Sequence, residues 1–299
     1  MLTDMDFLTL VNKRLDEVKQ RLSFKHYMDT VYHARRWAKR WSGFPCSKIT
    51  IELITQLRDE RSKISNQAAN KELRYLRSTF NWGLSNGYIS DNPAQKVEMM
   101  RVEIKTVYMP SQKDIEKVFS TANPEQSDYL WCLRDTLARS REINNLRWKD
   151  IDFEQKTITL YTRKKRHGTK TPRTIPMTNK LFSILSERYT HRNHEIPFVF
   201  SHKYYSKKFQ KTIIGPYCDR KKFMKSLCQK AGVKYFRFHP LRHAGASLLD
   251  SINIPISEIQ EILGHENRKT TERYINTTSR RSFQVMEAFE KARTSPHKE

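Results

Sequence analysis

The sequence predicts a mainly α fold with a small antiparallel β-sheet (α+β), divided between a helical N-terminal domain and a larger C-terminal one. Three observations carry that expectation. Apolar residues recur at helical spacing through residues 1–95. Period-two alternation replaces that spacing between residues 151 and 176, and helical patterning returns from Leu181 onward. A chain of 299 residues is long for one core and comfortable for two.

The elements follow in order. Phe7, Leu10, Val11, Leu15, Val18 and Leu22 mark a first helix. Tyr32, Trp37 and Trp41 mark a second, made basic by Arg35, Arg36, Lys39 and Arg40. Ile51, Ile54 and Leu57 belong to a third, and Leu73, Leu76, Phe80 and Leu84 to a fourth that stops near Asn86-Gly87. Asp91-Asn92-Pro93 breaks the pattern. Residues 96–110 are charged, lack a sustained apolar period and read as a linker, which places the domain boundary near 105 and gives domains 1–105 and 106–299. Ser111 with Asp114 resembles a helix start. Helical residues Ile115 to Phe119 and Leu130, Leu133 and Leu137 open the second domain. Ile151 to Phe153, Thr157 to Thr162 and Arg173 to Pro176 alternate as strands, with a basic loop from Arg163 to Thr171 between the last two.

Composition narrows the function. The net charge is +24, and residues 163–242 hold 21 basic against 3 acidic residues, a local excess of +18. One segment of the chain thus carries three quarters of the charge, which calls for a polyanionic partner, nucleic acid being the usual one. No stretch approaches the roughly 20 consecutive apolar residues of a spanning helix, and Asp4 and Asp6 stand where a signal peptide would carry bases. A cytoplasmic protein with no membrane partner is expected. Cys46, Cys132, Cys218 and Cys228 are scattered and form no Cys-x-x-Cys pair, so reduced, buried or half-buried thiols are expected rather than disulfides or a zinc site.

Three segments could carry chemistry. In His239-Pro240-Leu241-Arg242-His243, Pro240 suits the first turn of a helix, and Leu241, Ala244, Leu248 and Leu249 would form its buried stripe. His239 and Arg242, three apart, share a neighbouring face near a helix N-terminus that favours a phosphate. The bland alternative is a capping His and a solvated Arg. A metal held by His239 and His243 lacks a third ligand, so no metal and no cofactor are expected. In the second segment, Ser257 and Gln260 look like a capping box, and Ile259, Ile262 and Leu263 form an apolar face ended by Gly264. His265 then falls on a loop leading to Thr270-Thr271-Glu272-Arg273-Tyr274. Taken singly, His265 reads as structural and Tyr274 as a packing residue. In the third, Glu142, Ile143 and Leu146 begin a helix and place Arg139 in the turn before it.

Together these segments resemble the tyrosine recombinases, or phage integrases. Thr136, Arg139, Glu142, Leu146, Trp148 and Asp150 match the family's first motif; His239, Arg242 and His243 match His-x-x-Arg-His; Leu263, Gly264 and His265 match Leu-Gly-His; Thr270 and Tyr274 match its end. The motifs span residues 136–274 in the expected order, and the helical first domain resembles the family's core-binding (SAM-like) domain less specifically. Leu137 stands where the family usually has glycine, a departure at the turn presenting Arg139, and Arg141 is close enough to be a rival. The family's basic hairpin carries a catalytic lysine, which points to Lys164, with Lys165 beside it.

The resemblance implies a site-specific DNA recombinase acting on a double-stranded DNA recombination site, in integration, excision or resolution. Tyr274 would be the nucleophile that forms a 3′-phosphotyrosyl bond. Arg139 and Arg242 would neutralise the phosphate, His239 would assist proton transfer, His265 would donate a hydrogen bond to the phosphate, and Lys164 would protonate the departing 5′ oxygen. It also implies a homo-tetramer on DNA, accessory DNA-bending proteins, and a bacterial, archaeal or phage protein associated with the nucleoid. Phe283, Met286 and Phe289 would lie on a C-terminal helix that docks either on its own domain or on a neighbouring protomer. No room is expected ahead of the first domain for an arm-type DNA-binding domain. Two alternatives remain open from the residues: a type IB topoisomerase, and a DNA-binding protein of the same fold without activity.

Overall fold

The structure is a computed structural model and describes residues 5–103, 108–163, 170–206 and 209–275. The chain divides into two compact units, Met1–Lys105 and Thr106–Glu299.

The first unit is built from α1 (Phe7–Arg21), α2 (Phe24–Trp41), α3 (Ile51–Ser62) and α4 (Asn66–Ser85). Each begins where a side-chain oxygen accepts a hydrogen bond from a free backbone N–H of the first turn: Asp6, Ser23, Thr50 and Ser65 in turn. Phe7, Leu10, Val11, Trp37, Trp41, Leu73, Leu76 and Phe80 form the core, with Phe7 against Trp41 edge-on at 5.4 Å. The outer members of the apolar pattern, Leu22, Ile51 and Leu84, are exposed at the margins. One buried charge ties α2 to α4. Glu72 accepts from Trp37 Nε1 at 2.7 Å and Arg36 Nε at 3.0 Å. Arg36, read as part of a basic helix, therefore directs its charge inside the unit.

The second unit opens with α5 (Gln112–Ser120), whose N-cap Ser111 accepts from Asp114 N, and α6 (Pro124–Thr136). A short helix α7 (Ser140–Asn144) leads to the three-stranded antiparallel sheet β1 (Ile151–Asp152), β2 (Thr157–Arg163) and β3 (Lys170–Pro176), ordered β1-β2-β3. Register pairs Ile158 with Ile175 and Leu160 with Arg173. Ile158, Leu160 and Ile175 face the core, while Thr159 and Thr174 bond to each other on the outer face at 3.2 Å. α8 (Asn179–Thr190) packs Leu181 and Leu185 into the same core. Then come β4 (Ser201–Ser206) and β5 (Lys211–Pro216), α9 (Lys221–Lys230), α10 (Phe238–Ser251), α11 (Ile256–Leu263) and α12 (Arg268–Ile275).

Four sequence expectations need correction. The stretch after Leu181 is mostly helical, but β4 and β5 interrupt it with a second antiparallel hairpin that the periodicity did not place. The box at Ser257 does not form: α11 starts at Ile256 behind Pro255, so Ser257 is already inside the first turn, and Gln260 instead donates from Nε2 to His265 O at 2.9 Å. The stripe on α10 is shifted: Leu248 is exposed, while Ala246, Arg242 and Asp250 are buried. Cys46, Cys132 and Cys228 are buried, as expected, but Cys218 is exposed rather than buried or half-buried. No described helix is long and apolar enough to cross a membrane.

Candidate active site

The site starts at the C-terminus of α6. Thr136 closes the helix, and Leu137 turns the chain with φ 48° and ψ 28°, the left-handed region that glycine enters most readily. Here a leucine adopts the glycine backbone, and its side chain compensates. It is buried with Ala246, Ile259 and Leu263. It also lies over Gly245 of α10, where an added Cβ would stand 2.2 Å from Leu137 Cδ2. The glycine missing from the turn is thus matched by one on the helix facing it. Two residues later Arg139 is the N-cap of α7. Its backbone N–H donates to Glu142 Oε2 at 3.0 Å and its Nη1 to Glu142 Oε1 at 3.0 Å. Arg139 lines an open groove together with Arg147, Lys149 and Lys170. Arg141 is exposed and lines a cavity with His239 and Arg237.

Arg242, on the first turns of α10, is 1% exposed, which removes the solvated reading of this residue. Its Nη1 donates to Leu137 O at 2.5 Å, and its Nη2 donates to Leu263 O at 2.5 Å and to His265 Nε2 at 2.9 Å. One guanidinium thus grips the turn before Arg139 and the end of α11. A guanidinium can only donate, so His265 Nε2 accepts. The ring proton sits on Nδ1, which donates to the buried Thr271 Oγ1 of α12 at 3.0 Å. His265 is 5% exposed, so it is a buried residue on a turn rather than one in an open loop.

The turn itself is held by complete satisfaction of a helix end. The last four carbonyls of an α-helix lack partners within it. Gln260 O accepts from His265 N and Glu261 O from Gly264 N, with Gly264 at φ 62°. Ile262 O accepts from Arg173 Nε at 3.0 Å and Leu263 O from Arg242. The Leu-Gly-His turn therefore sits between two arginines.

His239 is exposed at the start of α10, with its ring edge-on to His243 at 4.8 Å. Burial, then His239 and Arg242, push the His243 imidazole down to about 4, so it is neutral at pH 7. Tyr274 has its backbone in α12, three residues after Thr271; its side chain lies outside the described residues, as do Lys164, Lys165, Lys207, Lys208 and the tail with Phe283, Met286 and Phe289. Among the described residues, no group of three or more His, Cys, Asp or Glu could hold a metal.

Sequence reasoning missed Arg173 and Thr271. Arg173 was findable. It shares the inward phase of β3 with Ile175, and a charge in a buried phase demands a buried partner. That partner is Glu142, which also accepts from Thr162 Oγ1 at 2.6 Å. Burial works against the Glu142 charge. Hydrogen bonding and attraction from Arg173, with Thr162 and the Arg139 backbone, outweigh it and bring the carboxyl down to about 2.

Residues 109–281 match the phage integrase family. The chain belongs to that family. It is a site-specific DNA recombinase of the tyrosine type, and the topoisomerase and non-catalytic alternatives are not favoured. It is 26% identical over 282 residues to the tyrosine recombinase XerC-like protein of Caldanaerobacter subterraneus subsp. tengcongensis, covering 80% of this chain and 70% of that one. Its fold is similar to that of the Tn1549 transposon integrase solved with circular intermediate DNA. There the TM-score is 0.74 at 17% identity, over 95% of this chain and 99% of that one. It is also similar to lambda integrase solved as a tetramer bound to a Holliday junction, with a TM-score of 0.70 at 14% identity, over 93% of this chain and 79% of that one.

Proposed function

We propose that this recombinase exchanges strands through a 3′-phosphotyrosyl link made by Tyr274, with Arg139, Arg242, His239, His265 and Lys164 as the groups around the phosphate. The observation that carries the reading is Arg242. It draws the turn before Arg139, the Leu-Gly-His turn and the His239 helix into one place. A phenol is mostly protonated at neutral pH, and a phosphodiester anion repels nucleophiles. The phenol gives up its proton to His239 as its oxygen bonds to phosphorus. The bond to the 5′ oxygen breaks, and that oxygen takes a proton from Lys164. Arg139 and Arg242 hold the charge that develops on the nonbridging oxygens. Reversal by a 5′ hydroxyl from another strand rejoins the backbone, with the bond energy retained in the phosphotyrosine.

His265 enters this scheme with its Nε2 occupied by Arg242. Arrival of a phosphate offers Arg242 a stronger, charged acceptor. Shift of the ring proton from Nδ1 to the freed Nε2, with Thr271 Oγ1 then donating to Nδ1, lets His265 donate to the phosphate as well. The helical first unit would act as the core-binding DNA domain, and the protein would work as a homo-tetramer on its recombination site, as lambda integrase does on a Holliday junction. The tail residues Phe283, Met286 and Phe289 would link protomers, DNA-bending proteins would assist, and the setting would be a cytoplasmic nucleoid. A nicked suicide duplex tests the core of this. Wild-type protein should leave a covalent adduct on the DNA 3′ phosphate, and Tyr274→Phe should leave none. An adduct that survives Tyr274→Phe would sink the assignment of the nucleophile.

A further inference from the structure

We propose that Arg173 is a positioning residue for strand cleavage: it neutralises Glu142, which leaves the charge of Arg139 for the DNA phosphate. The inference rests on the reading of Arg139 as a phosphate-holding group.

Glu142 lies between two guanidiniums that meet it unequally. Arg173 meets the carboxylate with both arms, Nη2 to Oε2 at 2.6 Å and Nη1 to Oε1 at 3.2 Å. Arg139 makes one side-chain contact, at 3.0 Å. The Arg173 side chain is 10% exposed and that of Arg139 23%. Arg173 also donates from Nη1 to Thr162 Oγ1 and from Nε to Ile262 O, both at 3.0 Å, so all three of its nitrogens are engaged. Arg173 is therefore the dedicated counter-ion, and Arg139 is the arginine with charge to present. Without Arg173, a buried carboxylate would turn to Arg139 as its remaining guanidinium and draw it off the phosphate. Arg173 also reaches across to α11. A Cβ on Gly264 would stand 2.9 Å from Arg173 Cδ. The same side chain thus sets the charge balance on α7 and also touches the Leu-Gly-His turn.

Single-turnover cleavage of a nicked suicide duplex tests this, with an ordinary scissile phosphate and with a methylphosphonate there, whose methyl group replaces one charged nonbridging oxygen. Arg173→Ala should slow adduct formation by about 100-fold, the scale of a misplaced reacting group, while duplex affinity stays within about twofold. Arg173→Ala/Arg139→Ala should be no slower than Arg139→Ala, and the methylphosphonate should shrink both single defects alike. Arg173→Lys, a charge without the fork, should fall between. Arg173→Met/Glu142→Gln removes both buried charges and covers the case in which Arg173→Ala fails to fold. It should cleave within about tenfold of wild type, since no carboxylate competes for Arg139. Multiplying defects in the Arg139/Arg173 double variant, a methylphosphonate-resistant Arg173→Ala defect, or an Arg173→Met/Glu142→Gln variant as slow as Arg139→Ala would each overturn the proposal. Wild-type cleavage by Arg139→Ala would instead overturn the reading beneath it, and the proposal with it.

Discussion

A carboxylate buried between two guanidiniums titrates unlike one in water. Burial opposes the Glu142 charge, but Arg173 and its neighbours hold the carboxyl at about 2, below its ordinary 4.5. A folded-state value that is depressed gives stability present in full above the unfolded value and lost as pH falls through the folded one. Glu142 should thus contribute about 3 kcal/mol at neutral pH, fading between pH 4.5 and 2. Urea unfolding of wild type and Glu142→Gln across pH 3 to 7 checks this: the two stabilities should converge as the solution is acidified. The opposite case is His243, lowered to about 4 by burial and by His239 and Arg242. It stays neutral in the fold while the unfolded imidazole protonates near its ordinary value. It therefore costs stability as pH falls below about 6.5. Its ring proton shifts in NMR should stay flat from pH 8 to 5; a midpoint near 6.5 would contradict its burial. At this scale the sequence proposes residues where spacing carries the message. Arg139, His239, Arg242, His265 and Tyr274 sit at fixed intervals within their motifs. Arg173 escaped because its partner Glu142 is 31 residues away and meets it through the sheet.

The elements show how one substitution can be absorbed by a neighbouring one. Leu137 in the left-handed region costs on the order of 1–2 kcal/mol, and its buried side chain over Gly245 offsets that cost. Leu137→Gly should relieve the backbone yet leave a cavity, for a net loss of about 2 kcal/mol. Gly245→Ala should destabilise wild type, because the new Cβ meets Leu137, and should be harmless or stabilising beside Leu137→Gly. Chemical denaturation of the two single variants and the double one measures that coupling, and simple additivity would mean the pair does not compensate. Gly264→Ala should lower stability by about 1 kcal/mol or more and slow cleavage, since its Cβ would press on Arg173. The element pattern was legible where one face is apolar, as in α1, α4 and β2. It was not legible for β4 and β5, where burial alternates but hydropathy does not: His202, Tyr204 and Ser206 lie on the covered face of β4, while Ile214 is exposed on β5. Ser257 misled for a related reason: a cap depends on where the backbone turns, and Pro255 sets that point two residues earlier.

For the whole molecule, the two units have separate cores, with Phe7, Trp37 and Phe80 in one and Tyr129, Leu160 and Phe200 in the other. The charge excess of the segment 163–242 includes Lys222 and Lys225, both exposed on α9. Binding to duplex DNA should weaken linearly on a log–log plot against salt. Replacing Lys222 or Lys225 with Gln should reduce the slope by about 1 for each phosphate that the lysine neutralises, on any DNA sequence. A slope unchanged in both variants would place the DNA elsewhere.

Order along the chain was enough to establish the family, the helical and strand periods, the basic segment and the motif positions, because each is encoded in residues close together in sequence. How those motifs act on one another came only with the folded chain. Arg242 became a buried clamp, His265 received its tautomer, Leu137 found Gly245, and Arg173 took Glu142 away from Arg139. Each depends on groups far apart in sequence meeting in a low-dielectric interior, where an unpaired donor or charge costs several times what it would in water.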